Sequence, residues 1–431
     1  MSRIFLTLLI EITLFSLAFT TIPQTEDYYD PVVAQMLTES QSNRWVDWIA
    51  ALSGKVPVRT ADGEGRILTR SSYVLFEPEP APSAFTYLQE ELIRLGFTEG
   101  RDYFIHTYDF PFGDRHPQRN WKNLILTIPG THPVLKNERV LLVAHLDSTS
   151  DQEWTLAPGA DDNASGSAGL LEAAALFRRY RFDRTIHLVW FSGEEQSRRG
   201  SESFVIDYAD WLPDIIGVIN LDMFAFDWDN DRCFEVHAGT LPGSQTIGDS
   251  FANVIDAYGL DLRFDFIDDE TAYTLSDHNA FWEKDIPAVM IFENGFYQEG
   301  ETCGVSDRNT AYHTTADTLT YINQSTGFSI LQASIAVIVH MAGPNGACFQ
   351  SAPEIEIRAD HYRRYLVWEP LPEAAEYQIW IRDLLGWHLR GTTVNNSWAI
   401  QNDHSFGITR IKVIAITNDG CQSQPVYFPL K

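Results

Sequence analysis

The sequence predicts an α/β protein, a mostly parallel central sheet with helices on both faces, followed by a small C-terminal all-β sandwich. Two patterns carry this expectation. From residue 165 onward, apolar runs of strand length alternate with helix-length segments, the pattern of a parallel sheet with crossover helices. Past Gly343 the alternation stops, and short β-like runs succeed one another with only turns between them.

Taken in order, residues 1–20, MSRIFLTLLIEITLFSLAFT, place Arg3 before an apolar run that ends in small residues. That is the pattern of a secretory signal peptide, so the expected location is extracytoplasmic, secreted or periplasmic. Residues 21–84 are mixed and turn-rich, and read as an N-terminal extension and linker closing in EPEPAPS. Phe85, Leu88, Leu92 and Leu95 then fall at helical spacing, with Gly96 as the stop. DYFIHTYDF, NLILTIPG and RVLLVAHLDS are strand candidates bounded by Gly, Pro or polar residues. SGSAGLLEAAALFRRY reads as a helix, TIHLVWFSG as a strand, ESFVIDYADWL as a helix and IIGVINLDMF as a strand. SQTIGDSFANVIDAYG (helix), IPAVMIFEN (strand) and TGFSILQASIAVIVHMAG (helix) complete an α/β domain over residues 85–343. Residues 352–431 form the sandwich, through LVWEPLPEAAEYQIWIR, NNSWAI and RIKVIAITNDGCQS; Trp368, Trp380, Trp387 and Trp398 are candidates for a sugar-stacking face, with core packing the favoured role. The order Trp-x-Pro, Ala-x-x-Tyr-x-Ile and Ala-x-Thr-Asn-x-Gly-x-x-Ser resembles a fibronectin type III module.

Composition excludes some classes of function. With 59 acidic residues against 31 basic and a net charge of -28, the chain lacks the basic footprint of a nucleic-acid binder. No run of ~18 apolar residues follows the N-terminus, so no transmembrane segment is expected in the mature chain. Cys233, Cys303, Cys348 and Cys421 allow three pairings, and export favours disulfides.

Chemistry gathers where strand candidates stop. RVLLVA runs into His145-Leu-Asp147, and the loop PGADDNASG carries Asp161 and Asp162. HLVWF leads to Glu194-Glu195, GVIN to Asp222, and a later loop, AYHTTADT, holds His313. Parallel strands deliver their C-terminal ends to one edge of a sheet, where ligands bind. Two imidazoles with three or more carboxylates suit zinc, or manganese or cobalt, and a shared carboxylate would make a two-metal clamp. A nucleophilic serine is not indicated: no Gly-x-Ser-x-Gly elbow follows a strand, and the Ser-Gly-Ser-Ala-Gly stretch suits close helix packing and N-capping.

The motifs HLDS, PGADDNASGSAGLLE, SGEE, NLDM, SDHNAF and YHTTADT occur in that order. Together they make residues 85–343 resemble the co-catalytic zinc aminopeptidases, a family of secreted bacterial leucine aminopeptidases that also includes glutamate carboxypeptidases and glutaminyl cyclases. The resemblance implies two zinc ions per chain and a peptide N-terminus as substrate. It implies His145 with Asp222 on one ion, Glu195 with His313 on the other, and Asp162 bridging, with a cis peptide after Asp162 and Asp161 facing elsewhere. It makes Glu194 the general base, and Tyr312 a donor to the developing oxyanion. Asp147 would accept the ring N–H of His145, and Asp317 would do the same for His313 or start a helix. Asp277 and His278 would sit at the pocket edge. Phe224, Phe226, Trp228, Phe281 and Trp282 are candidates for an apolar pocket, with core packing the favoured role. A glutaminyl cyclase with one zinc is the alternative enzyme, and a binding protein that has lost its ligands the alternative outside catalysis.

Overall fold

The computed structural model describes residues 28–77, 82–110, 119–295, 299–300, 302–359, 364–383, 386–400 and 410–429. The expected signal peptide, and most of the EPEPAPS linker, lie outside them.

The strands of the main sheet are β1 (Tyr103–Phe110), β2 (Arg119–Ile128), β3 (Arg139–His145), β4 (Thr185–Phe191), β5 (Ile215–Leu221), β6 (Cys233–His237), β7 (Arg263–Ile267) and β8 (Ala288–Glu293). They lie in the order β7-β6-β8-β5-β3-β4-β2-β1. The centre, β8-β5-β3-β4, is parallel throughout. The flanks are not: β2 and β1 join antiparallel beyond β4, and β6 runs antiparallel to β8. The sheet is therefore mixed: the central strands that lead into the polar motifs are parallel, and at one edge β6 and β7 run parallel to each other but opposite to that centre.

Alternation along the central strands makes two cores. Val140, Leu142 and Ala144 face one layer; Leu141 and Val143 face the other. The first layer contains α4 (Gly166–Phe177), buried at every position, and α8 (Gln324–Ala342). By length and composition α8 could cross a membrane, yet most of it is buried in this core. The second layer is covered by α5 (Arg199–Asp207) and the short α7 (His278–Trp282).

Residues 31–52, read from sequence as extension, instead form α1 (Pro31–Glu39) and α2 (Ser42–Leu52), and both pack into the first core. Their buried apolar residues gather on one face, and helices this short hold only against a partner. α1 packs against α8, and α2 against α4. Arg44 grips Glu172 through two bonds of 2.7 Å, and Trp45 donates its indole N–H to the carbonyl of Ser165 at 3.0 Å. The remaining helices, α3 (Ala84–Arg94) and α6 (Pro242–Ala257), fall where the periodicity predicts them. Strands β6 and β7 were hidden by polar residues, among them a fully buried Glu235–His237 pair at 2.8 Å.

The C-terminal unit is a sandwich of three antiparallel strands, Ile355–Ala359, Arg364–Trp368 and Ser397–Ile400, beside four, Glu376–Asp383, Gly386–Thr393, Arg410–Ile416 and Val426–Pro429. Trp368 and Trp380 are buried, and Trp387 and Trp398 half-buried against them. The disulfides are Cys233–Cys303 and Cys348–Cys421, the second tying the sandwich to the main domain.

His187, on β4, is buried with Nδ1 on Thr127 at 3.1 Å. Burial, aided by Arg139, pushes its pKa from 6.5 down to about 3. A depressed folded-state pKa means the stability it contributes is complete above 6.5 and is lost as pH falls toward 3. We expect His187→Gln to flatten the acid limb of unfolding free energy against pH by up to about 1.4 kcal/mol per pH unit in that window; equal slopes in urea titrations of both proteins would refute this.

Candidate metal centre

The three adjacent strands β5, β3 and β4 end level with one another. In register, His145 sits opposite Phe191, and Val143 opposite Asn220, so His145, the Ser192–Glu195 turn and Asp222 emerge side by side. Gly193 turns the chain away from β4 with a φ of 69°, in the left-handed region that suits glycine. Asp162 arrives from the irregular turn Ala160–Ser165 that opens α4, and the Asp162–Asn163 peptide is cis. Gly166 keeps that turn close to the sheet: a Cβ there would meet the Leu221 carbonyl oxygen at 2.7 Å. The amide N–H of Gly166 bonds to the Asn163 side chain at 2.9 Å, so Asn163 supplies the cap, and the Ser165 side chain does not.

The donor atoms form two groups that share one residue. His145 Nε2 lies 3.2 Å from Asp222 Oδ1 and 3.3 Å from Asp162 Oδ1. His313 Nε2 lies 3.2 Å from Asp162 Oδ2 and 3.1 Å from Glu195 Oε2. In each group the donors stand within 4.8 Å of one another. The chemistry of these contacts fits metal ions. His145 Nδ1 bonds to the carbonyl of Asp147 at 3.0 Å, which places the ring proton on Nδ1 and leaves Nε2 a lone pair facing two carboxylates. A cation between them turns that repulsion into coordination. The other oxygen of Glu195, Oε1, is buried without a hydrogen-bond partner.

Each carboxylate is aimed by what holds its far side. Ser276 donates to Asp222 Oδ2, and takes a bond from Asn220 at 2.7 Å. Asp317 accepts the amides of Asp161 and Asp162, both at 3.0 Å, and so braces the bridging turn; neither expected role, partner of His313 or helix start, is its contact here. Asp161 does face elsewhere, accepting from the Ala225 amide at 2.9 Å and from Asn309 at 3.1 Å. Asp147 departs from expectation. Its carboxylate stands 3.7 Å from His145 Nδ1, because its own backbone carbonyl takes the ring proton. The carboxylate accepts instead from Ser72 at 2.9 Å and from the amides of Glu194 and Glu195 at 3.3 Å. Asp277 and His278 are fully buried behind the site and do not line it.

Above the donors opens a cleft of about 890 Å³. Glu194 lines it without belonging to either donor group. Tyr312 stands on the wall with its ring stacked on His313. The apolar lining comes from Met223, Leu275 and Phe292, with Tyr273; Phe224, Phe226 and Phe281 are buried in the protein, and Trp228 points to solvent. Sequence reasoning missed Glu293 and Arg308 in the cleft and Arg70 beneath it. Glu293 follows a buried strand and had the same signature as the other strand ends.

Arg70 has no such signature. It lies in the turn-rich N-terminal segment, yet is fully buried and donates to the carbonyls of Leu146 (2.8 Å), Leu52 (3.1 Å), Gly159 (2.9 Å) and Pro158. Burial lowers its pKa to about 10, opposed by the charges of Asp317, Asp162, Asp147 and Glu195.

The model of the family described as peptidase family M28 matches residues 123–338, half of the chain. A probable leucine aminopeptidase of Trichophyton verrucosum is 28% identical over 209 residues, 47% of this chain and 52% of that protein. The chain thus spans about half the length of this curated relative. Among solved structures, the LapA aminopeptidase of Legionella pneumophila is similar with a TM-score of 0.55 and 21% identity, over 72% of this chain and 74% of that one. The glutaminyl cyclase of Bacteroides thetaiotaomicron gives 0.50 and 17%, over 69% and 97%. At these identities both are likenesses of fold.

Arg70 is a cation set among carboxylates and four carbonyl oxygens, so its loss strands them all. Arg70→Met is expected to destabilise the metal-loaded protein by about 3–5 kcal/mol in urea unfolding. Arg70→Lys should recover little, since one ammonium cannot span the fork's acceptors; near-parental stability in either would overturn this role.

Proposed function

The chain belongs to peptidase family M28, and on that premise we propose that it is an exported zinc aminopeptidase, holding two zinc ions per chain and removing N-terminal residues, apolar ones by preference, from peptides. One observation carries the reading: Asp162 directs one oxygen at His145 and the other at His313. His145, Asp162 and Asp222 would hold one ion, and Asp162, Glu195 and His313 the other. When bound, such a pair supplies a Lewis acid for the scissile carbonyl and a water acidic enough to lose its proton near neutral pH.

The chain's own residues do the rest. Glu194 is the general base that takes a proton from the attacking water and returns it to the leaving amine. Burial lifts its pKa well above that of an ordinary glutamate, reinforced by Asp222, Asp277 and Glu195 and opposed by His145, which suits a group that must both accept and release a proton. Asp147 is a positioning residue, fixing the backbone of Glu194 and Glu195 through their amides. Burial, with Asp162 and Glu195 nearby, raises the pKa of Tyr312, so the phenol keeps its proton and can donate it to the oxyanion. Glu293 on the cleft wall offers a carboxylate to the substrate's ammonium, and Met223, Leu275 and Phe292 offer an apolar surface to its first side chain.

A glutaminyl cyclase with a single zinc is the second reading, favoured by the likeness of fold to the Bacteroides enzyme. The completeness of both donor groups favours two ions. Export is supported by the two disulfides, which suit an oxidising compartment. The sandwich we read as a fibronectin type III-like module outside the chemistry.

Metal content, with hydrolysis of leucyl and glutaminyl anilides before and after chelation, separates the readings. Two zinc equivalents with chelator-sensitive release from leucine are expected; one zinc with cyclisation of glutamine alone would replace the aminopeptidase by the cyclase. Glu194→Ala should lower kcat on the leucyl substrate about 10²–10⁴-fold at unchanged zinc content, and a smaller loss would remove Glu194 from the role of base.

A further inference from the structure

The segment that leaves β5 continues past Asp222 as Asp227-Trp-Asp229-Asn-Asp231, and turns back through Asn230 and Arg232, both at positive φ. There it meets the segment that leads to His313: the Trp228 amide donates to Asp307 Oδ2 at 3.1 Å. Carboxylate oxygens of Asp227, Asp229 and Asp307 lie within 4.8 Å of one another.

Crowded surface carboxylates are common, and alone they would mean little. Asp227 is different, because only 6% of it is exposed. Its Oδ2 accepts from Thr326 and, at 3.1 Å, from Asn323; its Oδ1 is shut from solvent and has no hydrogen-bond partner. A buried ionised oxygen without a donor is costly unless a cation faces it. Among the described residues no arginine or lysine does so. Arg232 is committed to Ser325 and Ser329, both at 2.8 Å, and Arg263 to Asp231 at 2.7 Å. The other two acids also keep one oxygen for the protein. Asp229 Oδ1 accepts the Asp231 amide at 3.0 Å, and Asp307 Oδ2 the Trp228 amide, which leaves each a second oxygen for a ligand.

The donors are all oxygen, with no imidazole or thiolate, so the site suits a hard cation and discriminates against zinc. Asp229 and one side of Asp307 are open to water, which can complete the six to eight oxygen ligands that calcium accepts. We propose that Asp227, Asp229 and Asp307 form a calcium site, distinct from the zinc centre, that pins the loop after β5 to the loop carrying Arg308, Asn309, Tyr312 and His313. Asn309 also holds Asp161, so the ion fastens the cleft wall at the point where it joins the bridging turn.

The test uses the full zinc-loaded chain and calcium itself as probe. Calorimetric titration with CaCl2 should show one site with a Kd of about 10⁻⁴–10⁻³ M, the range of extracellular calcium modules. Calcium at ten times Kd should raise Tm by about 1–3 °C. The Asp229→Asn and Asp307→Asn double variant, whose substituted side chains are exposed or half-buried, should fold with unchanged zinc content and lose affinity at least about tenfold together with the Tm shift. Absence of saturable binding to 10 mM (about the upper limit for such a module), unaltered binding in the variant, or an equal shift with MgCl2 would each overturn the proposal. Every readout is independent of peptidase activity, so a failure here leaves the reading of the zinc centre untouched.

Discussion

The constraint on which the structure depends is negative charge held out of water. Asp147, Asp161, Asp162, Asp222, Asp277, Glu293 and Asp317 are buried at the carboxyl edge of one sheet, and Glu194 and Glu195 reach in beside them. Arg70, even with both histidines protonated, could not balance so many anions. Burial and repulsion from Asp162 lift Glu195 to about 7, and burial with Asp161 lifts Asp317 to about 8. A divalent cation among these donors would relieve this crowding.

Much of the surrounding architecture exists to make each carboxylate point one way. A carboxylate has two faces, and at this site one is regularly taken by a fixed donor. Ser276 holds Asp222, and paired amides come to Asp147 from Glu194 and Glu195 and to Asp317 from Asp161 and Asp162. Those donors sit on strand ends, on the turn before α4 or on its neighbours, whose positions are fixed by cores on both sides of the sheet. Apolar packing therefore sets the geometry, and the polar edge inherits it.

This division explains what could be read from the sequence. His145, Glu195 and Asp222 terminate uniform apolar runs, so a strand reading places them on one edge before any coordinates. Asp162 and His313 lie in loops, and only the ordered motif set attached them to the centre. Arg70, α1 and α2 escaped because their role is tertiary: a buried arginine in a turn, and helices whose apolar faces are complete only against α8 and α4. β6 escaped for the opposite reason, since Glu235 and His237 satisfy each other inside the protein and look like surface residues in the sequence. Asp147 differs in the atom it uses: the His145 ring proton goes to its backbone carbonyl and not to its carboxylate, a choice that no residue type reveals.

The sandwich fits the same logic from a distance. α4 starts at Gly166, four residues after Asp162, and its twelve residues carry the chain ~18 Å to Phe177. At that far end Arg178 accepts the Gln422 amide on its carbonyl at 3.0 Å, Arg179 accepts that of Cys348 at 2.9 Å, and Arg181 pairs with Asp419 at 3.2 Å. The module thus docks where α4 leaves the core, at the opposite end from the metal donors. Among the described residues, none of the sandwich lines the cleft. A unit so placed can stiffen α4 and the turn that carries Asp162, or present a surface of its own.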